Sequence, residues 1–285
     1  MRYRRITVPA DGGDLTVGLW GDGAPVRLAV HGITASHLAW AVVADRLGGA
    51  GTLAAPDLRG RGGSAGLPGP YGMRRHAADC VAVLDALGVS STVVTGHSMG
   101  GFVALVLADL YPERVSRLVL VDGGPPLPPP RAGTPEEQLE AALGAAARRL
   151  SMRFADRAAY HEFWRQHPAF RTWSAAMESY VDYDLTGVEP ELRSRVSAEA
   201  MRQDYLDLNF GESPAEAWRR LERPAVFLRA ERGMFDEPAP LYPDPEAIAG
   251  RIPLRTLAGT NHYTILLDDP GATEVAAALA DPGAN

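Results

Sequence analysis

The pentapeptide Gly96-His97-Ser98-Met99-Gly100 follows the apolar run Ser91-Thr92-Val93-Val94-Thr95 and opens onto the helix-like stretch Gly101-Phe102-Val103-Ala104-Leu105-Val106-Leu107. A G-x-S-x-G sequence between a strand and a helix calls for a sharp turn. Small residues two positions either side of the serine let strand and helix pass close together. Ser98 must then hold a strained backbone that lifts its hydroxyl out of the sheet. The helix N-terminus beneath it supplies unpaired N–H groups and a positive dipole, which favour an anion formed nearby. Gly and Ser are also ordinary turn residues. The place of this turn after a strand, and its partners elsewhere in the chain, mark Ser98 as a nucleophile.

The rest of the chain supplies a sheet for that turn. Strand-like segments at residues 4–9, 15–20, 27–30, 52–55, 92–95 and 117–121 are interleaved with helical ones at 37–47, 71–87 and 100–110. The pattern predicts an α/β fold, a mostly parallel central sheet with helices on both faces. The first two strands, separated by Asp11-Gly12-Gly13, form an antiparallel hairpin. Leu118-Val119-Leu120-Val121 suits a strand covered on both sides.

The alternation then stops. The stretch from Gly123 to Pro130, rich in proline, reads as a stiff extended connector. From residue 134 to about 221 the pattern is helical, including 136–150, 156–166 and 191–204. Strands return at 225–230 and 254–257, before a final helix at 272–280. The expected organisation is a core of residues 1–124 and 223–285 interrupted by a helical insertion at 125–222. Eleven of the 21 aromatic residues fall between Phe154 and Trp218. Most would fill the core of that insertion, and a minority would line an apolar pocket above Ser98.

Composition narrows the chemistry. The net charge of −7 and the scattered basic residues leave no footprint for nucleic acid. All 28 basic residues are Arg, and without Lys there is no Schiff-base lysine, pyridoxal-phosphate anchor or Walker-type phosphate loop. Cys80 has no second cysteine to pair with and reads as a buried small apolar residue. Basic residues near the N-terminus precede no apolar run, so no signal peptide is expected there. No stretch approaches the roughly 18 apolar residues of a membrane span. The expectation is a soluble, cytoplasmic protein acting on a small molecule, with neither membrane nor nucleic acid as partner.

A serine hydroxyl needs a base. His262, in Ala258-Gly259-Thr260-Asn261-His262-Tyr263, lies just past the last strand, and the carboxyl ends of parallel strands share one edge. It can therefore meet the tip of the Ser98 strand. His97 neighbours Ser98, but the turn is expected to point its side chain away. His31 is expected to fix loop geometry, and His161 and His167 lie in the insertion. An oxyanion needs two N–H donors. Met99 N–H, directly after the nucleophile, is one; Ile33 N–H, in the loop His31-Gly32-Ile33-Thr34, is the other.

With these residues in hand, the chain resembles the α/β-hydrolase fold superfamily over nearly its whole length, as a serine-nucleophile member. His31-Gly32 resembles the oxyanion-loop motif, and Asp57-Leu58-Arg59-Gly60-Arg61-Gly62-Gly63-Ser64 resembles the D-x-R-G-x-G-x-S loop, with an extra glycine before the serine. Gly96–Gly100 matches the nucleophile elbow and His262 the histidine loop. The insertion sits where the superfamily carries its cap, or lid. The resemblance implies a triad carboxylate, and here alternatives stand. After strand 225–230 the usual slot holds Gly233, with Glu231 earlier and Asp236 later. Some members place the acid one strand earlier, where this chain has Asp122. The implied activity is a cofactor-free serine hydrolase cleaving a small or medium apolar ester, lactone or related carbonyl compound. Acyl transfer, cyclisation, thioester release and carbon–carbon bond hydrolysis use the same arrangement. Some superfamily members retain the fold purely to bind a ligand.

Overall fold

The computed structural model describes residues 1–127 and 133–281. Strands β1 (Tyr3–Ala10), β2 (Gly13–Trp20), β3 (Val26–Val30), β4 (Thr52–Pro56), β5 (Thr92–His97), β6 (Val115–Val121), β7 (Ala225–Ala230) and β8 (Leu254–Leu257) form one sheet. Its order is β1-β2-β4-β3-β5-β6-β7-β8. β1 and β2 pair antiparallel, as does β2 with β4, and the other pairings are parallel. This is the mostly parallel α/β sheet, opening on a hairpin, that the sequence predicts.

Helices cover both faces, and the strands show it in their period of two. Leu118 and Leu120 of β6 join the core packed on α2 (Met73–Ala86) and α3 (Met99–Leu110). Val119 and Val121 join the opposite core, with Trp40, α1 (Ala41–Arg46) and the C-terminal helix Gly271–Ala280. Alternate side chains of a strand point to opposite faces, so an unbroken apolar run serves two cores at once. Cys80 is wholly buried in the first of these, as expected of a small apolar residue.

Between β6 and β7 the chain builds α4 (Pro135–Ser151), α5 (Arg157–Arg165), α6 (Ala175–Asp184), α7 (Ala198–Phe210) and α8 (Glu212–Arg219). The first four begin on Thr134, Asp156, Ser174 and Ser197, whose side chains each accept a backbone N–H from the first turn. Of the proline-rich connector, residues 128–130 lie outside the described residues. One expected helix is corrected here. Residues 191–197 are not helical: Leu192 bridges Phe154, and Arg193–Ser194 pairs antiparallel with Leu185–Thr186. Helix α7 starts only where Ser197 caps it.

Pairing register sets the functional edge. Val30 lies opposite Gly96, and His97 lies opposite Val121. Gly32, Ser98 and Asp122 therefore leave three neighbouring strands on the same side. His31 ties the first of these exits down. Leu58 N–H donates to His31 Nε2 at 3.0 Å, so the ring proton sits on Nδ1, which donates to the Gly32 carbonyl at 2.8 Å. His31 thus fixes loop geometry, as its position in the sequence predicts. Burial pulls its pKa down to about 4, outweighing the attraction of Asp57. A histidine neutral when folded but titrating at 6.5 when unfolded lets the unfolded chain take up a proton between those values. Stability therefore falls as pH drops through that window and is flat above it. His31 alone is expected to contribute about 3 kcal/mol of this loss. Urea unfolding at a series of pH values checks it: His31→Asn should flatten the slope between pH 6.5 and 4, and an unchanged slope counts against the assignment.

Candidate active site

Ser98 sits at the joint between β5 and α3 with φ 53° and ψ −125°, a conformation rare for a residue with a side chain. It is held there from both sides. Ser98 N–H donates to Val121 O at 3.0 Å, and Ser98 O accepts from Gly101 N–H at 2.9 Å. The crossing leaves no room for side chains: a Cβ on Gly96 would stand 2.0 Å from Gly100 O, and one on Gly100 would stand 2.1 Å from Val30 O. Unlike α4 to α7, α3 has no side chain capping its N-terminus. Met99 N–H is the first of its backbone donors, with an orientation set by the helix.

The oxyanion-loop residues lie against this joint. A Cβ on Gly32 would fall 3.2 Å from Ser98 Cβ and 3.6 Å from Ser98 Oγ, so the backbone approaches the serine directly. The Gly32 carbonyl accepts from His31 and from Ala35 N–H at 3.2 Å, on the far end of the peptide that carries Ile33 N–H.

His262 is buried, and its Nδ1–H donates to Asp122 Oδ2 at 2.7 Å. Asp122 is wholly buried with φ 44°. Its Oδ1 accepts from Ala230 N–H at 3.1 Å, and its own N–H donates to Leu228 O at 2.8 Å. The other two carboxylates considered from the sequence are engaged elsewhere. Asp236 accepts from Arg232 Nε at 2.7 Å and from Asn261 Nδ2 at 3.3 Å, and it pairs with Arg171. Glu231 is exposed, and its Oε2 accepts from Gly259 N–H at 2.8 Å. Ser98, His262, Ile33 and Gly32 line one cavity of about 110 Å³, and Asp122 stands behind His262.

The placement of His97 differs from expectation. Its ring does not point away from the site but packs on His262, with centroids 4.6 Å apart, and lines the same cavity. Nε2–H of His97 donates to the His262 carbonyl at 2.8 Å. The loop after β8 brings this carbonyl to the end of β5, past the intervening strands β6 and β7. Burial and the neighbouring His262 hold the His97 pKa well below its ordinary value. His97 therefore anchors the loop as a neutral ring.

The insertion covers this cavity with Leu143, Phe163, Trp164 and Tyr180, so a minority of its aromatics do face Ser98. Sequence reasoning missed two polar residues there. Arg149 is buried, pairs with Asp184 at 2.5 Å, bonds Tyr160 Oη at 2.9 Å, and lies over the Trp164 ring at 5.1 Å. His167 stacks on Phe235 with centroids 5.3 Å apart, and burial pulls its pKa to about 4. Helical periodicity could have marked Arg149 as facing inward with Leu143 and Ala146, but not what it would meet. Among the described residues, His161, Glu178 and Asp182 come within metal-ligand spacing of one another. They lie outside the cavity lining. His161 and Arg157 already hold Asp182, at 2.6 and 2.5 Å, and Trp173 Nε1–H donates to Glu178 at 3.0 Å.

Comparisons with known proteins agree with the architecture. Lipase LipV of Mycobacterium tuberculosis is 39% identical over 110 residues, covering 38% of this chain and 41% of that protein. N-formylmaleamate deformylase of Pseudomonas putida is 39% identical over 112 residues, covering 39% of this chain and 41% of that one. The chain thus spans about two fifths of the length of these curated relatives. Among solved structures, E-2-(acetamidomethylene)succinate hydrolase superposes with a TM-score of 0.79 at 23% identity, over 98% of this chain and 99% of that one. The thioesterase domain from the curacin biosynthetic pathway gives 0.74 at 22%, over 98% of both. These two likenesses are of fold. Residues 28–238 match the family model described as alpha/beta hydrolase fold. The chain belongs to the alpha/beta hydrolase fold family.

Proposed function

We propose that this chain is a serine hydrolase that cleaves a small or medium, largely apolar carboxylic ester, lactone or related carbonyl compound through an acyl-enzyme. The observation that carries the reading is the 2.7 Å hydrogen bond from His262 Nδ1 to buried Asp122, one strand away from Ser98. That bond fixes the imidazole tautomer with its Nε2 lone pair free to take a proton. In the proposed reaction, Ser98 Oγ attacks the carbonyl carbon while His262 Nε2 takes the hydroxyl proton. Asp122 orients the ring and stabilises its cation. Met99 and Ile33 N–H groups hold the oxyanion, and His262 returns the proton to the leaving group. Water then repeats the sequence to release the acid. The helical insertion acts as a cap, and its apolar lining favours an apolar acyl group. Nothing in this sequence of steps requires a cofactor.

Two experiments test the assignment. Ser98→Ala should abolish hydrolysis of p-nitrophenyl butyrate; activity within about tenfold of the parent would overturn the mechanism. Asp122→Asn should lower kcat by about 10⁴-fold, because the amide presents the wrong partner to Nδ1. Asp236→Asn should stay within about tenfold in the same assay, because its carboxylate serves Arg232 and Arg171. The reverse ranking would move the acid to Asp236.

A further inference from the structure

The loop at residues 57–64 joins the insertion to Ile33, whose N–H the proposed reaction uses. Arg61, wholly buried, donates Nε–H to the Ile33 carbonyl at 2.9 Å and Nη1–H to the Arg59 carbonyl at 3.0 Å. On the other side of Ile33, the Gly32 carbonyl is held by His31 and Ala35. Peptide units are rigid planes, so restraining both carbonyls limits the two dihedrals of Ile33 between them. Ile33 N–H shares its plane with the Gly32 carbonyl, and the Arg61 bond to the next carbonyl keeps that plane from rotating about Ile33.

A buried guanidinium needs a matched anion, or its desolvation is uncompensated. That anion comes from the insertion: Asp204 of α7, wholly buried, lies 2.5 Å from Arg61 Nη1. Asp204 is itself fixed to the core by Gly72 N–H at 2.6 Å and His76 Nε2 at 2.9 Å. Ser197 N–H, at the start of α7, donates to the Gly60 carbonyl at 2.8 Å, so loop and helix are joined beside Arg61 as well. We infer that Arg61 is a positioning residue for the Ile33 oxyanion donor, and that Asp204 of the insertion fixes where Arg61 stands. This rests on the reading of Ile33 N–H as an oxyanion donor.

The same loop contains an internal comparison. Arg59 makes an equally buried two-point pair with Asp79, at 2.7 and 2.8 Å, and its remaining bonds go to the Pro68 and Asp11 carbonyls. It braces the loop without a bond to Ile33.

The experiment compares p-nitrophenyl butyrate with its thiono analogue, in which the carbonyl oxygen is sulfur. An oxyanion hole shaped for oxygen favours the oxygen ester, and a displaced donor erodes that preference. Asp204→Asn, and the double variant Arg61→Gln/Asp204→Asn, which leaves no uncompensated buried guanidinium if the single variant fails to fold, should both lose activity through kcat. The expected loss on the oxygen ester is about 10- to 100-fold, with KM within about threefold and the oxygen preference reduced by a similar factor. Arg59→Lys, which keeps the charge but not the fork, should retain the oxygen preference. The inference is overturned if the double variant keeps the parental preference, or if Arg59→Lys loses it equally. Ser98→Ala run alongside separates the two readings. If it is inactive while the double variant keeps its preference, only the inference falls; if it still hydrolyses the ester, both fall.

Discussion

Beneath Ser98 three stretches of backbone cross at distances that admit no side chain between them. The end of β3, the turn from β5 into α3, and the chain leaving β6 meet at Gly100, Gly96 and Gly123. A Cβ on Gly123 would fall 2.0 Å from Ser98 O. This contact fixes the distance from the serine to the loop after β3 and to the exit of β6. It also holds Ser98 at positive φ, a conformation the residue would not keep alone. The neighbouring positions of Gly32, Ser98 and Asp122 follow from that crossing and from strand register, before any side chain makes a bond.

The meeting of Ser98 and His262 in one cavity was legible in the sequence because each is local to a strand end, and parallel strands share one edge. Which carboxylate would meet His262 was less legible, because two strand ends offered one. The deciding facts are long-range. Val121 pairs with His97, which brings Asp122 beside Ser98, whereas Arg171, far away in the chain, helps to occupy Asp236. His97 was misplaced for a related reason, since the loop its ring meets lies 165 residues away. In the insertion, helix content was readable but facing was not. Arg149 and His167 reach the cavity through the docking of whole helices. The segment 191–197 carries a helical pattern, yet pairing with Phe154 and Leu185 takes it into extended form.

One buried polar cluster lies where the insertion meets the core. Asp57 accepts from His37 backbone and ring, both at 2.8 Å, from Gly63 N–H at 2.8 Å, and from Tyr183 Oη of α6 at 2.7 Å. Such groups stabilise only when every member is satisfied, and their geometry is narrow. The insertion is thereby held in one register, which an apolar interface would define less sharply.

Helix α2 begins on Gly72 without a side-chain cap from its own sequence. Its first donors are met from outside: Gly72 N–H by Asp204, and Met73 N–H by Asp207 at 2.7 Å, one helical turn apart on α7. A core helix thus borrows its terminus from the segment that covers the cavity. The two parts are not interchangeable modules. A covering segment transplanted from a relative would have to bring acids at both positions, or α2 would fray from the end that carries His76. Exchange of the insertion is therefore constrained at the end of α7 that meets α2, independently of the residues that line the cavity.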